Sequence, residues 1–92
     1  MDFSAFITAA RKKRGLSLTK AAKEIGISIS YLCDIEKGRS GNPKMDFIYN
    51  LAKAYGVSVD DLCIYGKRIP KDIFDKIVEH PALYTVIRNH EV

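Results

Sequence analysis

Four side chains with different chemical groups lie within one short segment, residues 29–37. They are the apolar group of Ile29, the hydroxyl of Ser30, the carboxylate of Asp34 and the ammonium group of Lys37. If the segment is helical, these side chains point away from an apolar opposite side. Such an outward row can contact thymine methyl groups and form hydrogen bonds with base edges in a DNA major groove.

The preceding residues predict a second helix that crosses this one closely. Ala22 and Gly26 are four residues apart, and a small residue at this spacing lets two helices approach. Gly26 can also adopt the positive φ that a sharp turn needs. An apolar inner side is supplied by Ile25, Ile27, Leu32 and Ile35. Residues 18–37 therefore predict two short helices joined by a tight turn, with the second helix available to DNA.

Helical patterns continue on both sides of this pair. An amphipathic stripe at i, i+3, i+4 and i+7 predicts a first helix, through Phe3, Phe6, Ile7 and Ala10. Three later helices can be capped by serines, namely Ser17, Ser28 and Ser58. We expect Asn42 to cap the fourth helix, with Pro43 at its first position. No segment alternates apolar and polar residues long enough for a strand, so the prediction is an all-α, five-helix domain over residues 1–66.

Residues 67–92 have a different character. A linker at residues 67–70 leads into two short helices, which we expect to be separated at His80-Pro81 because a residue before proline disfavours the α conformation. The large apolar residues of this tail are Ile73, Phe74, Ile77, Val78, Leu83, Tyr84, Val86 and Ile87. They must be buried against the first domain, a second copy of the chain or another protein.

Charge and composition narrow the classes of function. The 92 residues carry a net charge of +4, with an isoelectric point of about 9.1, which suits a partner with phosphates. Cys33 and Cys63 form no Cys-x-x-Cys pair and lie far from His80 and His90, so we expect no metal site, disulfide or cofactor. Neither a membrane span nor a signal peptide is recognisable, which favours a cytoplasmic protein. No nucleophile–base pair, paired carboxylates or phosphate-binding glycine loop indicates an enzyme.

A family resemblance covers roughly residues 3 to 65. The chain resembles the Cro/cI-type, or Xre-type, helix-turn-helix domains of phage and bacterial repressors. The matching segments are Gly15-Leu16-Ser17, Ala22 with Gly26, Ser30-Tyr31-Leu32, Ile35-Glu36-Lys37-Gly38, Asn42-Pro43 and residues 56–62. The resemblance implies a lambda-repressor-like fold whose recognition helix enters the major groove. Residues 67–92 extend beyond the minimal family domain, which usually ends near the fifth helix.

The resemblance also implies two groups of DNA-contacting residues. The residues at the positions of the family's base contacts are Ser28, Ile29, Ser30, Tyr31 and Asp34. Phosphate contacts fall on Ser17, Thr19, Lys37, Arg39, Ser40, Asn42 and Lys44. Leu18 departs from the pattern, since many relatives carry Gln there, and the side-chain contact is either lost or taken by Thr19.

Some of these residues have a structural interpretation beside the DNA-binding one. Ser28 is also an N-cap, and Tyr31 can pack against the core with its hydroxyl exposed. Asp34 can be a solvated carboxylate or pair with Lys37, three residues later. The base-contacting group contains no Arg, Gln or Asn, so we expect few direct hydrogen bonds to base edges. DNA shape would then supply part of the sequence specificity.

One further family feature is an ion pair between the first helix and the end of the recognition helix. By position it falls on Arg11 and Glu36. Arg11 lies four residues after Ile7, on the inward side of its helix, which supports the pair independently.

These observations predict a transcriptional regulator that binds double-stranded DNA sequence-specifically, as a repressor and a homodimer. The dimer contact is expected in the tail, through Ile73, Phe74, Ile77, Val78, Leu83, Tyr84 and Ile87. The alternative is an antitoxin or antagonist-binding regulator whose tail binds a partner protein.

Overall fold

Seven α-helices and no β-strand make up the regular structure of residues 2–91, which the computed structural model describes. In chain order they are α1 (Phe3–Lys13), α2 (Leu18–Ile25), α3 (Ile29–Glu36), α4 (Met45–Tyr55), α5 (Val59–Gly66), α6 (Lys71–Glu79) and α7 (Ala82–Asn89). The predicted all-α class is confirmed. Residues 1 and 92, the ends of the two predicted ranges, lie outside the described residues.

Short polar side chains define the starts of four helices. The Asp2 carboxylate accepts a hydrogen bond from the N–H of Ala5 at 2.8 Å. The hydroxyls of Ser17, Ser28 and Ser58 accept from backbone N–H groups at 3.1, 3.1 and 3.0 Å. Each cap satisfies a donor that has no partner inside its helix. The three serine caps are as predicted, whereas the Asp2 cap was not expected.

The turn between α2 and α3 depends on Gly26. Its φ is +89°, in the left-handed region that glycine reaches at little cost. Ala21 and Ala22 are almost completely buried, and their small side chains let α3 pack directly against α2. The predicted pair of helices with a tight turn is therefore present.

The apolar core lies among the first five helices. Its largest fully buried side chains are Ile7, Leu32, Ile48, Leu51, Tyr55 and Leu62. Helix α2 adds Ala21, Ala22 and Ile25. Because each of α1–α5 contributes to one cluster, α3 is held in a fixed orientation and its outer side remains free.

The start of α4 differs from the expectation that Asn42 caps it. The helix begins at Met45, its N-cap residue is Lys44, and no side chain forms a capping hydrogen bond. Pro43 is buried in the preceding loop, and its carbonyl accepts a hydrogen bond from Arg68 Nε at 2.6 Å. This contact with a distant residue, rather than a local cap, fixes Pro43 outside the helix.

Helices α6 and α7 extend away from the core and contain no buried residue. The described chain measures 46 × 23 × 22 Å and has a radius of gyration of 15.2 Å, compared with about 12 Å for a compact chain of this length. The break expected at His80-Pro81 is present, since it separates α6 from α7. Within one chain, α6 and α7 therefore do not complete the core of the first five helices.

Candidate nucleic-acid interface

The outer side of α3 presents the expected base-contacting residues on one surface. The five residues outside the core are Ser28, Ile29, Ser30, Tyr31 and Asp34. Ile29 is 45% exposed, whereas Leu32 and Ile35 on the opposite side are buried. Ser30 and Asp34 are one helical turn apart, so their polar groups lie side by side. This surface offers methyl groups, hydroxyls and a carboxylate, which are groups able to contact base edges.

Two of these residues also have a structural role. Ser28 Oγ accepts the N–H of Tyr31 at 3.1 Å, which leaves the hydroxyl proton free to donate to another group. The Tyr31 ring packs against Phe47, with centroids 6.2 Å apart and planes tilted by 56°. Tyr31 nevertheless remains 42% exposed. Capping and packing therefore leave both side chains accessible at the surface.

The carboxylate of Asp34 pairs with Arg39 and not with Lys37, the partner considered from the sequence. Arg39 Nη1 lies 3.6 Å from Asp34 Oδ1, and the two side chains are 66% and 51% exposed. The chain reverses after α3 at Gly38, whose φ is +73°. This reversal brings residue 39 back beside the end of the helix, which spacing along a regular helix does not anticipate.

The expected phosphate-contacting residues lie in two segments next to α2 and α3. Ser17 and Thr19 are exposed at the start of α2, where the free N–H groups of the first turn can bind an anion. The other five follow α3 within residues 37–44, namely Lys37, Arg39, Ser40, Asn42 and Lys44. Ser40 is partly buried and the rest are exposed. The loop carries three cations and no carboxylate, which suits contact with a phosphate backbone.

Arg68 supports this cationic loop, although the sequence pattern did not reveal it. Its Nε donates to the carbonyl of Pro43 at 2.6 Å, and Pro43 lies between Asn42 and Lys44. The hydrogen bond joins residues 25 positions apart. Only the three-dimensional fold brings Arg68 to the loop, so no local spacing signal could have identified it.

Arg11 and Glu36 connect α1 to the end of α3. Arg11 donates from Nε to Glu36 Oε2 at 2.7 Å and from Nη2 to Oε1 at 3.0 Å, and its Nη1 donates to the Leu16 carbonyl at 2.8 Å. The two side chains are 11% and 8% exposed. The hydrogen bond to the Glu36 carboxylate raises the pKa of Arg11, so the guanidinium remains charged. The structure thus contains the ion pair expected from the sequence.

A second contact also fixes the end of α3. Ser4 Oγ on α1 donates to the carbonyl of Ile35 at 2.7 Å, one residue before Glu36. Because α1 holds both a side chain and a backbone group of this last turn, the exposed side of α3 and the following loop have a defined position relative to the core.

Within residues 2–91, the His, Cys, Asp and Glu side chains form neither a metal-binding cluster nor a disulfide. No group of three or more His, Cys, Asp or Glu side chains is placed there to hold a metal ion. Cys33 and Cys63 have free thiols, and burial raises the pKa of the Cys63 thiol. None of the described helices combines the length and apolar character needed to cross a membrane.

Comparison with protein families decides the class of protein. The helix-turn-helix family model HTH_3 matches residues 7–62, more than half of the chain. The chain belongs to this helix-turn-helix family. The Xre-type resemblance is thereby confirmed, and the family consists of DNA-binding regulators and not of enzymes.

The relatives of this helix-turn-helix protein are transcriptional regulators. It is 38% identical over 81 residues to the HTH-type transcriptional regulator DdrOP3 of Deinococcus deserti, and this alignment covers 79% of this chain and 61% of the relative. It is 36% identical over 52 residues to the regulator SinR of Bacillus subtilis, which covers 56% of this chain and 47% of SinR. The alignments therefore span about half to three fifths of these relatives' length.

The fold is similar to a solved structure of a complex of SinR protein and SinI protein. The TM-score is 0.62 with 22% sequence identity, and the match covers 91% of this chain and 98% of that chain. Because α1–α5 end at residue 66 of 92, the likeness also includes part of the tail. At this identity it concerns the fold alone.

Proposed function

We propose that this helix-turn-helix protein binds double-stranded DNA through α3 and regulates transcription, acting as a repressor in the cytoplasm. The observation that carries the proposal is the exposed outer side of α3, held in place by the core and by the Arg11–Glu36 pair. Ile29 can contact thymine methyl groups, Ser30 can donate or accept, and Asp34 can accept from a cytosine amino group. Ser28 and Tyr31 complete the base-contacting group.

The phosphate contacts of this proposal position α3 in the groove. At the start of α2 they come from Ser17, Thr19 and the free backbone N–H groups beside them. After α3 they come from Lys37, Arg39, Ser40, Asn42 and Lys44. Contacts of this kind supply affinity and orientation, whereas sequence preference comes from the base edges.

We also propose that the protein acts as a homodimer whose contact lies in α6 and α7. The exposure of tail side chains supports this assignment, since Phe74 is 55% and Ile87 is 56% exposed within one chain. A two-fold contact would cover the same apolar surface on both copies. The two α3 helices would then face half-sites about 34 Å apart on a nearly palindromic operator.

A second candidate function uses the same tail to bind a different protein. In that case the chain is an antitoxin or a regulator controlled by an antagonist. The solved structure of similar fold supports this candidate, because it is a complex of two proteins, SinR and SinI. Copurification of the full chain with a protein encoded by a neighbouring gene would distinguish this candidate from self-association.

Selection of bound fragments from random duplex DNA, with the mass of each complex measured, tests the proposal. We expect a nearly palindromic motif, two chains on each duplex and an affinity that falls steeply with salt, because bound cations displace counterions from phosphates. Lys44→Ala should weaken binding to all sequences alike and lower the salt slope by about one. Lys53→Ala, which changes an exposed cation of α4, is the matched control. A pool without an enriched motif and an affinity insensitive to salt would contradict the proposal.

A further inference from the structure

The base-contacting group expected from the sequence contains no arginine, but the fold brings a guanidinium to it. The Arg39 side chain reaches the Asp34 carboxylate, with 3.6 Å between Nη1 and Oδ1. Asp34 lies one helical turn after Ser30 on the exposed side of α3. Arg39 is therefore adjacent to the base-contacting surface, although it belongs to the loop that follows the helix.

The backbone at the end of α3 determines this placement. The N–H of Arg39 donates to the carbonyl of Asp34 at 2.9 Å, and the N–H of Gly38 donates to the carbonyl of Ile35 at 3.1 Å. Together with the positive φ of Gly38, these two hydrogen bonds form a Schellman motif, in which the chain folds back over the last turn. The motif holds the backbone of residue 39 beside that of residue 34, so the proximity of the two side chains does not depend on the ion pair alone.

The pair also has hydrogen-bonding capacity left for DNA. A guanidinium has five N–H donors and a carboxylate has about four acceptor positions, and a single contact uses few of them. Both side chains are more than half exposed. An exposed ion pair contributes little to stability, so either residue can be replaced without a large effect on the fold.

We infer that Asp34 and Arg39 act together to read one G·C base pair in each half-site, an inference that rests on the proposed binding of DNA through α3. In the major groove, guanine presents the acceptors O6 and N7 beside the amino donor of cytosine. The Arg39 guanidinium donates to guanine, and the Asp34 carboxylate accepts from cytosine. The adjacent guanidinium also offsets the repulsion that Asp34 alone would experience near phosphates. Arg39 thus determines sequence specificity in addition to making the phosphate contact proposed above.

The test compares motifs selected from random duplex DNA by the full chain and by four variants. These variants are Asp34→Asn, Arg39→Ala, the double variant Asp34→Asn with Arg39→Ala, and Arg39→Lys. We expect the unchanged protein to enrich a G·C pair that Asp34→Asn and Arg39→Ala both lose at the same position, each with about a tenfold to hundredfold loss of discrimination. The double variant should lose little more than either single variant, because the two residues act as a unit.

Arg39→Lys separates base reading from charge. It keeps the cation but lacks the planar fork that matches guanine, so the salt slope should be retained while the G·C preference is reduced. Lys37→Ala is the control, and it should lower affinity without changing the motif. Unfolding curves verify that each variant is folded.

Two outcomes would overturn the inference while leaving the proposed function intact. One is an Arg39→Ala variant that keeps the motif and weakens binding to all sequences alike. The other is that the Asp34 and Arg39 variants lose base preference at different positions of the motif, or that their losses add in the double variant. If the unchanged protein enriches no motif and its affinity for DNA does not depend on salt, the proposed function itself is wrong.

Discussion

Arg11 of α1 and Glu36 at the end of α3 form a two-point ion pair that is almost completely enclosed. Glu36 directly precedes Lys37, and Asp34 lies two residues earlier. The pair therefore connects the first helix to the last turn of α3, beside Asp34 on its exposed side and next to the cationic loop. Its role is to orient these segments, since neither side chain is exposed enough to contact DNA.

Arg11→Met should lower the free energy of unfolding by about 3–5 kcal/mol, because it leaves the Glu36 carboxylate buried without its partner. It also removes the donor to the Leu16 carbonyl. Denaturant unfolding measures the change, and Lys12→Met is the matched control because Lys12 is the exposed neighbour in α1. Similar small losses in both variants would show that the ion pair does not stabilise the fold.

This pair can be predicted from the sequence, whereas the contact between Arg68 and Pro43 cannot, although both join residues 25 positions apart. For Arg11, helical spacing from Ile7 indicated an inward side chain, and the family resemblance supplied the partner. Arg68 lies in a predicted linker with no periodic pattern to indicate its direction. The cap expected at Asn42 was wrong for a related reason, since the contact of the Pro43 carbonyl with the distant Arg68 holds Pro43 outside α4.

Local interactions were predicted more completely. Ser17, Ser28 and Ser58 each bind a backbone group three residues later, so residue type and position were sufficient to predict the caps. Gly26 was likewise identified from its place between two apolar patterns. The Asp34–Arg39 pair depends on the chain reversal after α3, and helical spacing pointed to Lys37 instead.

Gly26→Ala tests whether the turn before α3 depends on its left-handed backbone. No atom lies within 4 Å of the position that a new Cβ would occupy, so the cost comes from the backbone and should be about 1–2 kcal/mol. Gly41→Ala is the control, since its Cβ would also meet nothing within 4 Å and its φ is not positive. Thermal unfolding should show a lower melting temperature for Gly26→Ala and little change for Gly41→Ala. Equal effects would contradict the assignment.

Tyr55→Phe should raise the free energy of unfolding by up to about 1 kcal/mol. The Tyr55 hydroxyl is buried and has no hydrogen-bond partner among the described residues, and such a group costs free energy on folding. Tyr84→Phe is the control because Tyr84 is 50% exposed. A marked loss of stability in Tyr55→Phe alone would show that the hydroxyl does have a stabilising partner.

Tyr55 should also make the free energy of unfolding depend on pH in the alkaline range. Burial, and next the Glu36 carboxylate, raise the pKa of Tyr55 from 10.0 to about 12. The folded state thus favours the neutral phenol, and the resulting stability is present below pH 10 and is lost as the pH rises through 12. The loss for one group is on the order of 2–3 kcal/mol. Denaturant unfolding at increasing pH should show a smaller decline for Tyr55→Phe than for Tyr84→Phe, and parallel declines would contradict the shift.

The tail can be tested by ending the chain after Pro70. Residues 67–70 should be kept, because Arg68 holds the loop through Pro43 and Pro70 is buried. Since α6 and α7 contribute no buried residue, the shortened protein should retain its helicity and most of its stability. If the tail is the dimer contact, light scattering should show a monomer that binds a selected operator far more weakly than the full chain.

Phe74→Ser in the full chain provides the matching point variant, because Phe74 is 55% exposed and supports no core. It should weaken self-association without reducing the helicity of the folded chain, whereas Asp72→Ala on the same helix should change neither. A shortened protein that unfolds would show that the tail stabilises the first five helices. One that remains a dimer would place the contact elsewhere, first on α5 at Ile64, which is 71% exposed. A full chain that is already a monomer would favour a different protein as the partner of the tail.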